Sequence, residues 1–168
     1  MSKIRLVLGG ARSGKSRFAE SLALHHAGPR TYLATAEPVD AEMAARIARH
    51  RDDRKAGGWT TREAPLDPAA IVREADGLVL LDCVTVWLGN LMHHERDLAE
   101  ALDGLCAALA ASHAEVILVS NEVGLSIVPE NAMARRFRDA QGLANQRLAA
   151  LAQEVYFVAA GIPIKIKG

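Results

Sequence analysis

The sequence predicts an α/β fold, a mostly parallel β-sheet flanked by helices with one antiparallel strand at an edge. Three observations predict it. Short uncharged runs of Val, Ile and Leu recur along the chain. Helical stretches separate most of these runs. The first run feeds a glycine-rich turn that opens a helix.

Five runs read as strands: Ile4 to Leu8, Thr31 to Ala34, Leu78 to Leu81, Val116 to Val119 and Val155 to Val158. They are continuously apolar rather than alternating, which suits strands covered on both faces of a parallel sheet. The clearest helices are Lys15 to Ala27, Ala41 to His50, Asp97 to Ala111 and Met133 to Gln153. Strand and helix in alternation imply right-handed βαβ units. The last segment, Ile162 to Lys167, alternates Ile with Pro or Lys and is expected to be the antiparallel edge strand. The 168 residues fit one domain, with no internal repeat and no low-complexity linker.

Composition narrows the function. Apolar residues make up 50% and charged residues 24% of the chain. Lys plus Arg (20) equals Asp plus Glu (20), which argues against a nucleic-acid binder held by bulk charge. Cys83 and Cys106 lie far apart, so a disulfide framework is not expected. Met1-Ser2-Lys3-Ile4 leads directly into a strand and lacks a signal peptide's apolar segment. No stretch reaches the ~18 apolar residues of a membrane span. A cytoplasmic protein with no membrane span is therefore expected.

The turn Gly9-Gly10-Ala11-Arg12-Ser13-Gly14-Lys15-Ser16 matches G-x-x-x-x-G-K-[ST] between a strand and a helix. Glycines let successive backbone N–H groups converge on one phosphate, and the helix N-terminus adds unpaired donors and partial positive charge. Lys15 supplies a point charge for the terminal phosphates, and Ser16 supplies a hydroxyl for Mg²⁺. Asp82 ends the apolar run Leu78 to Leu81, the usual form of the second metal-site acid. The fold class is thus a P-loop NTPase of the RecA-like kind. The sequence has no N-K-x-D motif, and a compact neutral chain leans toward a transferase rather than a switch or motor.

Asp40 to Arg54 carries the next clue. Met43, Ile47 and His50 share one helical face. Arg46, Arg49, Arg51 and Arg54 surround them. Three uses are open on residue chemistry alone. The arginines could form a lid over a phosphoryl group. His50 could attack an α-phosphorus while arginines stabilise departing pyrophosphate. Or His50 closes an amphipathic helix beside solvated arginines, which is the reading that the residues by themselves favour.

Elsewhere, His25-His26 reads as a dipole contact ending the first helix, and neither that pair nor His93-His94 has i, i+4 ligand spacing for zinc. Trp59 and Trp87 read as packing or interface residues. Ala99 to Ala111 reads as an amphipathic helix facing the core or another subunit.

Four blocks resemble one family, the bifunctional adenosylcobinamide kinase / adenosylcobinamide-phosphate guanylyltransferases of cobalamin biosynthesis. They are the turn from Gly9 to Arg17; Tyr32 to Ala36 with Asp40 to Arg51; Ser120 to Asn131; and Arg138 to Leu148. The likeness spans nearly the whole chain, and its last two blocks are the most specific.

The resemblance implies two reactions. A nucleoside triphosphate, ATP or GTP, phosphorylates adenosylcobinamide. GTP then transfers GMP to adenosylcobinamide phosphate through a guanylylated histidine, which matches His50. It implies nucleotide contacts at Gly9, Gly10, Ala11, Arg12, Ser13, Gly14, Lys15 and Ser16. Others fall at Ala34, Thr35, Ala36, Arg51, Asp52, Asp53, Arg54, Glu63 and Asp82. Mg²⁺ at Ser16 and Asp82, and a homo-oligomer, expected to be a trimer, also follow from it. Two departures stand out. The strand-end acid, often Glu in this family, is Asp82 here, one methylene shorter. The residue before the nucleophile, often His, is Arg49. Glu122 is a candidate to deprotonate the substrate hydroxyl. The competing readings are an ordinary P-loop small-molecule kinase with an arginine lid, and a nucleotide-binding regulatory module. Neither requires the block from Asn121 to Asn131.

Overall fold

All five apolar runs are strands, and they are the centre of one seven-stranded sheet. The computed structural model describes residues 3–168, with the side chains of Arg46 and Asp53 outside the description. The elements are β1 (Ile4–Gly9), α1 (Lys15–Ala23), β2 (Arg30–Ala34), α2 (Ala41–Ala56), β3 (Thr60–Glu63), α3 (Pro68–Glu74) and β4 (Leu78–Asp82). They continue with α4 (Val84–His93), α5 (Leu98–Ala111), β5 (Glu115–Asn121), α6 (Ala132–Leu151), β6 (Glu154–Ala159) and β7 (Ile162–Lys167). The strand order is β3-β2-β4-β5-β1-β6-β7. All neighbours pair in parallel except β6 and β7, which are antiparallel, as the alternating C-terminal segment predicts.

The continuous apolar strands are explained by what covers them. Leu6, Leu33, Val79, Leu81, Val116 and Leu118 pack under α3, α4, α5 and α6. Val7, Tyr32, Leu78, Leu80, Ile117 and Val119 face the other way, against Ala19 and Ala23 of α1 and Trp59. Burying each such Leu or Val side chain stabilises the fold by roughly 1.5–3 kcal/mol. Trp87 is fully buried with its indole N–H donating to Leu66 O at 2.9 Å, a packing role as expected. The alanine-rich α5 turns Leu102, Leu105, Ala108 and Leu109 into the core.

Several elements differ from the expectation. β3 is absent from it because Thr60-Thr61-Arg62-Glu63 is an edge strand with no apolar run. α3 is only seven residues long, although Asp67 caps it and Pro68 occupies its first turn. α4, Val84–His93, begins with β-branched residues that carry no clear helical period. α2 runs on to Ala56, six residues beyond the predicted end, so His50 to Arg54 is helix interior. α1 stops at Ala23, short of Ala27. The first helix therefore does not end on His25-His26; His26 instead meets Glu115, with Nδ1 3.2 Å from Oε2.

Candidate active site

The glycine-rich turn leaves β1 at the C-terminal edge of the sheet, where α/β folds collect ligands. Gly14 caps α1 with φ 92°, a left-handed conformation open to glycine at little cost. The turn is braced from both sides. Glu122 N–H, just past β5, donates to Gly9 O at 3.0 Å. Gly161 N–H, in the β6–β7 turn, donates to Ser13 O at 2.8 Å. Lys15 is nearly buried and lies over its own loop, its ammonium donating to Gly10 O at 3.0 Å. Arg12, Ser13, Gly14, Lys15 and Ser16 line a cavity of about 310 Å³.

A second, open cleft of about 650 Å³ adjoins it, with Ser16 lining both. Its floor is the α1-facing side of β2 and β4. Ala34 and Asp82 are register partners at the ends of these strands. Its far wall is α2, which Asp40 caps by accepting the Met43 N–H at 2.7 Å. Met43, Ile47, His50 and Arg54 follow a 4, 3, 4 spacing, one face of a helix, and all four line the cleft. The predicted shared face thus exists, and it presents the imidazole of His50 opposite Ser16 and Asp82.

Of the described arginine side chains on α2, Arg54 lines the cleft with His50, while Arg49 and Arg51 do not. Arg54 turns inward and stacks its guanidinium 4.0 Å from the Tyr32 ring centroid. Arg51 lies at the rim, its Nη1 3.7 Å from Glu63 Oε1. Arg49 and Asp52 are exposed, and the side chains of Arg46 and Asp53 lie outside the described residues. Of the family-implied contacts, Ser16, Ala34, Thr35, Ala36, His50, Arg54 and Asp82 line the cleft. Arg51, Asp52 and Glu63 lie outside its lining. Gly9, Gly10 and Ala11 belong to the turn but line neither cavity. Thr35 is fully buried, its hydroxyl donating to Cys83 O and accepting from Cys83 N–H, both at 2.9 Å. That brace ties the ends of β2 and β4 together.

Among the cleft side chains that escape the sequence reading are Glu20 and Tyr32. Glu20 lies one turn beyond Ser16 on α1, and that i, i+4 spacing is the signal that could have found it. Burial, then the neighbouring Asp82, raises its carboxyl above the usual range. Tyr32 sits two residues before Ala34, hence on the same face of β2. Its phenol donates to Asp82 Oδ2 at 2.6 Å. Burial, then Asp82, pushes that phenol far above its ordinary value, so it stays protonated. Glu122, a candidate base, bonds the Gly124 N–H through Oε1 and so shapes its own turn.

Behind β5 lies a buried polar network. Ser120 Oγ donates to Asn145 Oδ1 at 2.7 Å, and Gln141 Nε2 donates to the same oxygen at 3.0 Å. Asn145 Nδ2 donates to Asn121 O at 3.1 Å, and Asn121 N–H donates to Thr85 Oγ1 at 2.8 Å. These bonds fix the C-terminal end of β5 beside Gly9, its register partner across from Asn121. They also give a structural reason for the polar residues of the Arg138 to Leu148 block.

The comparisons with known proteins identify a family and a fold. Residues 5–166 match the family model described as cobinamide kinase / cobinamide phosphate guanyltransferase. The chain is 45% identical over 180 residues to the bifunctional adenosylcobalamin biosynthesis protein CobU of Salmonella typhimurium, covering 96% of this chain and 98% of that one. It is 45% identical over 170 residues to the bifunctional adenosylcobalamin biosynthesis protein CobP of Pseudomonas aeruginosa, covering 97% and 96%. The Escherichia coli CobU protein is 41% identical, covering 96% and 98%. Among solved structures, the RadB recombinase superposes with a TM-score of 0.53 at 15% identity, covering 92% of this chain and 73% of that one. That likeness is one of fold, and it fits the RecA-like sheet.

Proposed function

The chain belongs to the cobinamide kinase / cobinamide phosphate guanyltransferase family, and from that premise we propose that one P-loop domain, residues 1–168, performs both reactions. In the first, a nucleoside triphosphate phosphorylates the aminopropanol hydroxyl of adenosylcobinamide. In the second, GTP transfers GMP to adenosylcobinamide phosphate, giving adenosyl-GDP-cobinamide and pyrophosphate. The observation that carries this reading is that α2 presents His50 and Arg54 to the same cleft as Ser16 and Asp82.

Guanylyl transfer then proceeds by two displacements. The unprotonated imidazole nitrogen of His50 attacks the α-phosphorus of GTP. A P–N bond forms, the P–O bond to the β-phosphate breaks, and pyrophosphate leaves. A phosphate oxygen of the corrinoid next attacks the same phosphorus, the P–N bond breaks, and His50 is regenerated. Splitting the transfer replaces one difficult encounter of two anions with two easier steps. Lys15, the turn's N–H groups and Arg54 offset charge on the phosphates. Ser16 and Asp82 present hard oxygen donors to one cleft, the donor type Mg²⁺ takes, so they are the residues that would hold it. Bound there, Mg²⁺ would neutralise triphosphate charge. Arg51, Asp52 and Glu63, outside the cleft lining, reach nucleotide if α2 and the β3 edge draw together on it. Among the described residues no helix is long and apolar enough to cross a membrane. We assign the activity to a cytoplasmic homo-oligomer, a trimer by family resemblance, acting on small molecules rather than nucleic acid.

The test is incubation with Mg²⁺ and GTP labelled at the α-phosphorus. Covalent label that is acid-labile, stable to hydroxylamine and absent from His50→Ala supports the histidine intermediate. No label, with nucleotide binding confirmed, leaves a plain P-loop kinase with Arg54 as its lid. Negligible turnover with any corrinoid leaves a regulatory module.

A further inference from the structure

Tyr32 is 6% exposed, yet it touches two groups of the candidate site at once. Its hydroxyl donates to Asp82 Oδ2 at 2.6 Å, and its ring carries the Arg54 guanidinium at 4.0 Å. Trp59 holds the ring from another side, edge-on with centroids 5.8 Å apart. Trp59 is itself tied to the end of α2, its N–H donating to Arg54 O at 3.1 Å. Tyr32 therefore lies between the strand-end acid and the helix that bears His50.

We infer that Tyr32 is a positioning residue of the nucleotide site, which fixes the Asp82 carboxylate in one rotamer and seats Arg54 against it. This rests on the proposed nucleotide-binding function. The geometry has a chemical consequence. With one lone pair of Oδ2 taken by the phenol, Oδ1 is the less encumbered oxygen of Asp82 for a cation or for an N–H donor of the ligand. The phenol braces the carboxylate through Oδ2 while Asp82 lines the cleft. The guanidinium stacked on the same ring keeps a positive charge near the carboxylate; its Nε donates to Thr61 Oγ1 at 3.4 Å, which leaves the Nη groups to meet phosphate. A hydrogen bond to a charged group is stronger than a neutral one, so its loss should be measurable in affinity.

The experiment is a double-mutant cycle with Tyr32→Phe, Asp82→Asn and the pair. It is read as Kd for Mg·GTP by calorimetry, with melting temperature alongside. Phe keeps the ring that seats Arg54 and removes only the hydroxyl. The expected result is a Kd raised about tenfold by Tyr32→Phe in the native background and less than twofold in the Asp82→Asn background. Removing the ring as well, in Tyr32→Leu, should weaken binding further than Tyr32→Phe. Equal effects of Tyr32→Phe in both backgrounds would mean that the hydroxyl acts independently of Asp82 and would overturn the inference. A Tyr32→Phe variant that binds as tightly as the native protein would do the same, and so would one that fails to fold, since the phenol would then be a folding group. Failure of the wild type to bind Mg·GTP would instead remove the underlying functional reading, a separate outcome of the same titration.

Discussion

Replacing Gly9 by Ala tests how closely the phosphate turn is packed. A Cβ on Gly9 would lie 2.4 Å from Ser13 Oγ and 2.7 Å from Val158 O. The Ser13 hydroxyl can rotate away, but Val158 O is backbone in the β6 strand paired with β1. Either β1 and β6 open by several tenths of an ångström or the turn lifts. Overpacking of this kind costs about 1–3 kcal/mol. In a domain of this length that lowers the melting temperature by roughly 2–12 °C. The displaced N–H groups should also weaken GTP binding, by about tenfold or more if the turn moves by a good fraction of an ångström. Gly10→Ala is the internal control. A Cβ there meets nothing within 4 Å, so the fold should melt within about a degree of the native protein or slightly higher. Differential scanning fluorimetry and GTP calorimetry on both variants decide it. If Gly9→Ala melts and binds GTP like Gly10→Ala, the packing argument for the turn is wrong.

Two further predictions concern the frame that holds the site. Glu154 accepts from Lys165 and Arg5 and pairs with Lys3, and the Lys165 bond first, then Arg5 and Lys3, hold its carboxyl at about 2 against partial burial. The folded value lies below the unfolded one, so this stabilisation is present above pH ~4.5 and is lost as the pH falls toward 2. Glu154→Gln should therefore remove about 1 kcal/mol at pH 7, after discounting for solvent screening, and flatten the melting-temperature curve between pH 4.5 and the acid limit. A mutant curve parallel to the native one in that window would refute it. Asn145→Ala should remove the acceptor of the Ser120 hydroxyl, one of the two acceptors of Gln141 Nε2 and a donor to Asn121 O, while Gln141 Nε2 keeps its bond to Ser120 Oγ at 2.9 Å. Unpaired buried polar groups cost about 1–3 kcal/mol each, so chemical denaturation should report a loss of roughly 2–4 kcal/mol. A loss under 1 kcal/mol would mean that water replaces the amide.

The residues by themselves determine the sheet centre, the phosphate turn and the shared face of α2. Each of these is a local pattern: an apolar run, a glycine spacing, a helical period. The turn from Gly9 to Ser16 is legible because its chemistry is written in consecutive residues, and Asp82 because it ends an apolar strand. The edge strand β3 and the short helices α3 and α4 are not legible in the same way. Thr60–Glu63 is extended because β2 offers it an edge, and nothing in its own sequence demands a strand. The roles within the candidate site also divide. The sequence brings out a histidine among four arginines but cannot say which guanidinium faces inward. Tertiary packing decides that: among the described arginine side chains of α2, Arg54 enters the cleft beside His50 and lies over the Tyr32 ring. Likewise Glu20 and Tyr32 join Asp82 only when α1, β2 and β4 are folded against one another. Contacts between residues 50 or more positions apart, such as Tyr32 with Asp82, depend on strand order. That order is set by how the whole chain buries its two apolar faces, which no local stretch of sequence encodes.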